Sequence, residues 1–237
     1  MAILVTGSAG HLGEALMRTL LEAGQQPIGI DLRESAFTRK VGSIADRGFV
    51  KRCMPGVHAV LHTATLHKPH VASHSRQDFI DTNVTGTLYL IQKIGRDMRD
   101  RNAGRILITG SIAGYTPGAF QAVYHGTKAF IDSFSYALRN ELKDTDVTVT
   151  CLMPGATETD FFDRAGLQDT KVGQAPKDNP ADVAEAGFKA MMEGEADVIT
   201  VWMNKLETTI ANVTPNEMLA ERTRKQYQPG SGKTVSK

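Results

Sequence analysis

The sequence predicts a single α/β domain built on a doubly wound parallel sheet, and three observations carry that prediction. Short apolar runs of strand length alternate with longer stretches that repeat apolar residues at helical spacing. The runs are continuously apolar, as strands covered by helices on both faces are. The first run opens into a glycine-rich turn followed by a helical pattern. With 237 residues, the chain is long enough to bury one substantial core.

Taken in order, AILVT (2–6) is the first strand, and a helical pattern over 11–23 follows it, closed by Gly24 as a C-terminal cap. PIGI (27–30) is the second strand and ends against Asp31, with a weak strand near Val41. HAVLHTA (58–64) leads to a helical pattern over 76–98, in which Phe79, Asn83, Leu90, Ile91 and Ile94 share one face. RILIT (105–109), a helix over 121–143, VTVTCL (147–152), a helix over 181–193 and DVITV (197–201) complete the alternation. WMNKLETTIANV (202–213) has helical periodicity suited to core or subunit contact. From about Pro215 the chain turns polar, and 228–237 reads as a mobile tail. Residues 1–214 are therefore assigned to one domain and 215–237 to a tail. The GSGKT stretch (230–234) is not a phosphate loop, because Tyr227 stands where that motif needs glycine and no strand precedes it.

Charge and composition exclude several functions. The 27 basic and 26 acidic residues leave a net charge of +1, too little to gather nucleic acid or an anionic membrane surface. No run has the length of a membrane span, and the N-terminus lacks the basic flank of a signal peptide. Cys53 and Cys151 lie far apart and read as free thiols, so a cytoplasmic protein is expected. His62, His67, His70 and His74 lack the paired spacing of a zinc site, and no metal is expected.

TGSAGHLG (6–13) joins the first strand to the first helix. Gly7 permits the tight turn, Gly10 lets backbone approach a pyrophosphate, and Gly13 allows close helix–strand packing. The first helical turn, at His11 and Leu12, offers N–H groups and a positive dipole end to phosphates. Eighteen residues beyond Gly13 stands Asp31, whose carboxylate would accept ribose hydroxyls and repel a 2′-phosphate. A Rossmann-type dinucleotide site that takes NAD in preference to NADP is the expectation. Arg33, Arg39 and Lys40 lie just beyond Asp31; they could soften the preference, but plain surface charge is the favoured reading of them. A plain strand-to-helix turn with a capping aspartate is the competing reading.

RILIT runs into Gly110 and Ser111, at the end of the strand where open parallel sheets place ligands. Tyr124 follows thirteen residues later and Lys128 one helical turn after that. A carbonyl receiving hydride needs a proton donor within hydrogen-bond reach. A free phenol titrates near ~10, and a neighbouring ammonium brings that value down. A serine hydroxyl can hold the substrate oxygen while its charge develops. Ser111, Tyr124 and Lys128 in this spacing resemble the short-chain dehydrogenase/reductase superfamily. The resemblance covers about residues 2–212 and implies Tyr124 as acid/base, with Asn83 in NVTG (83–86) holding a water beside the lysine. It further implies cofactor contacts at Ser43, Ile44, His62, Thr63 and Ala64. PGATETD (154–160) matches the family's turn after the sixth strand, where Pro154, Gly155, Thr157 and Thr159 would face the nicotinamide. A lid over the substrate is implied at 160–178, with Phe161 and Phe162 lining a pocket, and His125 is expected at the rim or surface.

Two styles of that superfamily meet in the chain. TGSAGHLG and HAVLHTAT are similar to its extended, epimerase-like branch, while GRILITGSIAG and the residues beyond it are similar to its short single-domain branch. A hybrid joined near Leu88–Arg105 is one expectation this raises. The leading function is NAD-dependent transfer of hydride between the cofactor and a secondary alcohol or ketone. Rivals are a nucleotide-sugar epimerase or dehydratase and a catalytically silent NAD-binding module. The resemblance also implies a homodimer or homotetramer formed through the helices at 76–100 and 121–143.

Overall fold

The computed structural model describes residues 2–66, 73–158, 168–200, 208–211 and 213–232. Its strands are β1 (Ala2–Thr6), β2 (Pro27–Asp31), β3 (Lys40–Val41), β4 (Val57–His62), β5 (Gly104–Thr109), β6 (Val147–Met153) and β7 (Asp197–Ile199). They form one sheet in the order β3-β2-β1-β4-β5-β6-β7, with every pairing parallel. The winding reverses between β1 and β4. Ligands of open α/β sheets bind outside the carboxyl ends of the strands at such a reversal.

The helices are α1 (His11–Glu22), α2 (Arg47–Cys53), α3 (Arg76–Ile80), α4 (Thr87–Asp100), α5 (Ala122–Glu141), α6 (Lys171–Gln174), α7 (Pro180–Glu193) and α8 (Asn216–Tyr227). Side chains alternate across a strand, so a sheet covered on both faces needs apolar residues at every position. Leu4, Val60, Ile106, Ile108 and Val149 meet Leu90, Ile91, Ile94 and Met98 of α4 and Ile131 of α5 in one layer. Ile3, Val5, Leu61, Leu107 and Leu152 meet Leu16, Met17 and Leu20 of α1 and Val183, Ala184 and Met191 of α7 in the other. Burying a side chain of this size stabilises the fold by about 1.5–3 kcal/mol.

Several elements depart from the pattern read in the sequence. The single helix expected over 76–98 is α3 and α4 joined by a π-helical stretch, Asp81–Gly86, which carries Asn83. The short α2 escapes detection by periodicity. Asp46 caps it by accepting from the Gly48 and Phe49 N–H groups, and Phe49, Val50 and Cys53 bury its inner side. From 216 the expected polar tail forms α8, whose buried residues are Leu219 and Thr223. The Thr223 hydroxyl donates to the Pro117 carbonyl at 2.6 Å, and Gly230 N–H donates to the Asp169 carboxylate at 2.8 Å. Gly24 has φ +70 and closes α1 as expected. Of the last predicted strand, Asp197–Ile199 is seen, while Val201 and Trp202 lie outside the described residues.

Candidate active site

The cofactor end is shaped by backbone. Gly7 has φ +76, and a Cβ there would lie 2.7 Å from Thr63 Oγ1 and 2.8 Å from Ala64 N. A Cβ on Gly13 would fall 1.9 Å from the Gly7 carbonyl oxygen, whereas one on Gly10 would meet that oxygen at 3.3 Å. Gly7 and Gly13 are thus dictated by close approach and Gly10 less strictly. Asp46, Ser75, Thr170 and Asn179 cap α2, α3, α6 and α7, but no side chain caps the first turn of α1. The His11–Gly13 turn therefore presents its dipole end to an anion with no N-cap side chain among the described residues competing for it. A pyrophosphate fits this cradle.

At the tip of β2, the Asp31 carboxylate accepts from Ala9 N–H at 3.0 Å and from Arg33 N–H at 2.9 Å. The exposed Arg33 donates through Nη2 to the Ala9 carbonyl at 2.9 Å, and its Nε lies 3.9 Å from Asp31 Oδ1. The carboxylate is therefore already partly neutralised. Ser43 and Ile44 follow β3. The Ile44 side chain is in the core, so the cofactor contact expected there falls to its backbone. Ser43 Oγ accepts from Ala45 N–H at 3.1 Å.

The side chain of His62, expected among the cofactor contacts, is engaged inside the protein. Its Nδ1 is 2.7 Å from Thr6 Oγ1 and its Nε2 is 2.8 Å from Thr87 Oγ1, so both ring nitrogens are spent inside the protein. Burial pushes its pKa down to about 3, with the Lys128 charge adding to the shift. The neutral ring ties β1 to α4. Thr63 Oγ1 donates to the Thr6 carbonyl at 2.6 Å, and Ala64 N–H donates to Thr6 Oγ1 at 3.2 Å.

At the catalytic end, Ser111 begins a 3-10 turn, Ile112–Tyr115, by accepting from Ala113 N–H at 3.1 Å. The Ser111 side chain also acts on the Tyr124 hydroxyl, favouring its ionised form. Tyr124 and Lys128 project from α5 one turn apart. Lys128 is buried, and its Nζ donates to the Thr109 carbonyl at 2.9 Å. Burial lowers the Lys128 pKa to about 8, opposed by the Asp132 charge. Burial also pushes Tyr124 up to about 12, with the Ser111 hydroxyl pulling the other way. The depressed tyrosine expected from the sequence is absent from this geometry. Desolvation of the phenol wins because the Lys128 ammonium is 6.0 Å from the Tyr124 ring centre and bonded to Thr109.

Asn83 is buried in the π-helical stretch, and its side chain is fully engaged. Oδ1 accepts from Leu66 N–H at 2.6 Å and Thr65 Oγ1 at 3.1 Å. Nδ2 donates to the Leu66 carbonyl at 2.8 Å and Thr127 Oγ1 at 3.2 Å. A small recess, about 240 Å³ including its open mouth, has Thr65, Asn83, Thr109 and Lys128 on its wall. The buried Thr109 hydroxyl there has no partner among the described residues.

Beyond β6, the Pro154 carbonyl accepts from Ile112 N–H at 3.3 Å, which ties this turn to the serine turn. Thr157 bridges to Asp178, and Gly155 accepts from Thr157 Oγ1 at 3.3 Å. Thr159, Phe161, Phe162, His67 and His70 lie outside the described residues. Among the described residues no cluster of potential metal ligands occurs. His125 is buried rather than at a rim or surface. Its Nδ1 is 2.8 Å from the Thr116 carbonyl oxygen, and its ring packs edge-on to Tyr124 and to Tyr227 of α8. The sequence reading missed Asp132, four residues past Lys128, because a single acid on an amphipathic helix reads as surface; it is buried.

A glycine cradle for pyrophosphate and a serine–tyrosine–lysine set at adjoining strand ends together define a nicotinamide-dependent oxidoreductase. Comparison with known proteins sharpens this. The family model "short chain dehydrogenase" matches residues 47–170, and the chain belongs to that family. The NADP-dependent 3-hydroxy acid dehydrogenase YdfG of Salmonella typhi is 28% identical over 90% of this chain and 98% of its own length. Serine 3-dehydrogenase of Rhizobium radiobacter is 30% identical over 67% of this chain and 73% of its own. A short chain dehydrogenase from Burkholderia cenocepacia, solved with NADP, shares the fold with a TM-score of 0.77 at 20% identity, covering 94% of this chain and 96% of that one. The chain is an NAD(P)-dependent oxidoreductase that moves hydride between the cofactor and a secondary alcohol or ketone. The matches run through 88–105, so neither a hybrid join nor an epimerase-like N-terminal half has support.

Proposed function

We propose that the chain is an NADP-dependent dehydrogenase of small 3-hydroxy acids or β-hydroxy amino acids, with Tyr124 as acid/base. The placement of Ser111 just past the end of β5 beside Tyr124, one turn before the buried Lys128, carries the reading. The substrate class follows the names of the relatives. The preference for NADP replaces the one expected from Asp31. Arg33 partly neutralises that carboxylate and is exposed beside it, which suits a 2′-phosphate.

Bound NADP supplies or accepts the hydride. On the protein side, the Ser111 hydroxyl donates to the substrate oxygen as charge develops there. Tyr124 gives its phenolic proton to that oxygen in reduction and, as phenolate, takes it back in oxidation. Lys128 is cationic below about pH 8 and has two N–H groups to spare after Thr109, for ribose hydroxyls or water. The Asn83 side chain has no capacity left, so its backbone carbonyl is the group that would meet a relay water in the recess. Val123, Phe130 and Tyr136 leave apolar surface exposed on α5, which supports dimer or tetramer formation along that helix. Among the described residues no helix is long and apolar enough to cross a membrane.

The test is a panel of 3-hydroxy acids, serine and simple secondary alcohols with NADP⁺ and NAD⁺, followed at the nicotinamide absorbance. Faster turnover of a hydroxy acid with NADP⁺ is expected. Turnover of simple alcohols with NAD⁺ alone would overturn the substrate class and the cofactor preference. NADP⁺ binding without turnover of any substrate would favour a silent module.

A further inference from the structure

We infer that Asp132 is a positioning residue for the reaction: its buried carboxylate seats the serine turn and holds Lys128 as a cation. The inference rests on the proposed roles of Ser111 and Lys128. Asp132 lies one helical turn beyond Lys128 on α5 and is 6% exposed. Its Oδ1 accepts from Ser111 N–H at 3.2 Å and stands 3.7 Å from Cys151 Sγ. Its Oδ2 has no hydrogen-bond partner among the described residues.

The surrounding sequence makes room for this group. A Cβ on Gly110 would fall 1.8 Å from Oδ1, and one on Gly114 would fall 2.0 Å from Oδ2. The glycines on either side of Ser111 are therefore what admits the carboxylate beneath the turn. An uncharged acceptor would serve Ser111 N–H equally well. A carboxylate with one oxygen unbonded costs more to bury than an amide, so its charge requires a reason. That reason is Lys128, whose ammonium is equally buried and has one hydrogen bond of its own in the structure.

The other titratable groups facing Asp132 cannot substitute for the lysine. Cys151 of β6 is held as a neutral thiol by burial, the Tyr115 hydroxyl of the 3-10 turn is raised by burial, and Tyr124 lies on the same helix. None is a cation at neutral pH. Burial raises Asp132 itself to about 6, so the two charges coexist between about pH 6 and 8.

The experiment compares the parent protein with Asp132→Asn, which keeps an acceptor for Ser111 N–H and removes the charge. Expected in the variant are a fall in kcat of about 10- to 10²-fold and an alkaline limb moved down by about one pH unit. The acid limb near pH 6 should vanish, while cofactor Kd and Tm at pH 8 hold or Tm rises. The midpoint of Lys128, followed by NMR with isotope-labelled lysine, should fall in parallel, and this reading needs no turnover. An unchanged pH profile and lysine midpoint in an active enzyme would overturn the inference while leaving the proposed function intact. Loss of activity in step with Tm would also overturn it, since that is what a purely structural role predicts. An inactive parent with an unshifted lysine would remove both. If Asp132→Asn does not fold, Asp132→Ser enters the same comparison, and failure of both assigns Asp132 to folding alone.

Discussion

The two ends of the active cleft solve different problems with different materials. The cofactor end, residues 2–31, is made of backbone: glycines that admit close approach, an uncapped helix start, and one acid partly neutralised at the tip of β2. The catalytic end, from Gly110 to Asp132, is made of titratable side chains taken out of water. Tyr124, Lys128 and Asp132 are all moved away from their ordinary pKa values by burial. The difference teaches where the molecule bears its costs. A phosphate cradle asks for shape, and shape is set by local sterics. A proton-transfer site asks for charge in a dry place, which lowers stability unless charges are matched.

The comparison can be broken hardest at Gly13. Its Cβ would land 1.9 Å from the Gly7 carbonyl oxygen, so Gly13→Ala should abolish NADP binding by titration and destabilise the fold by about 1–3 kcal/mol. An alanine variant that binds NADP normally would mean that backbone approach does not shape this end. A smaller effect is expected at Arg33. Arg33→Ala should weaken NADP about tenfold relative to NAD, the value of one charge-assisted contact, measured as the ratio of the two kcat/KM values. An unchanged ratio would remove Arg33 from phosphate recognition.

The mildest effect lies in stability against pH, where two buried groups of the cleft oppose each other. His62, folded near 3 and ordinarily 6.5, costs stability as pH falls below about 6.5. Asp132, folded near 6 and ordinarily 3.8, costs stability as pH rises from about 4 to 6. Between pH 4 and 6 these slopes partly cancel. Asp132→Asn should therefore make Tm fall more steeply with acid, and His62→Gln should make it fall less steeply. On the alkaline side Lys128, folded near 8 and ordinarily 10.5, should let stability recover as pH rises through that interval. Melting curves across pH for the three proteins check all of these signs.

What could be read in the sequence divides along the same line. Continuous apolar runs announced the parallel sheet, since strands buried on both faces have no other pattern, and even β3 was visible near Val41. The glycine turn was legible because its constraints are local. Ser111, Tyr124 and Lys128 were legible from spacing. Asp132 was not, because its partner Ser111 lies 21 residues away and an acid on a helix ordinarily faces water. His62 was placed among the cofactor contacts because it sits at a strand end, and what its ring holds was not legible. Its partners Thr6 and Thr87 come from distant elements and consume both nitrogens. The helix α8 was hidden because two buried residues in twelve make no stripe. The preference for NAD followed Asp31; Arg33 was seen beside it in sequence, but its fold back onto the Ala9 carbonyl and Asp31 is a tertiary feature.

The central claim is that Tyr124 exchanges the substrate proton at a site whose binding functions are separate from it. Tyr124→Phe removes one hydroxyl, and the measurement is the single-turnover rate of hydride transfer with saturating NADP⁺ and hydroxy acid. We predict a loss of about 10²- to 10⁴-fold with cofactor Kd and Tm unchanged. A variant within threefold of the parent rate would contradict the account.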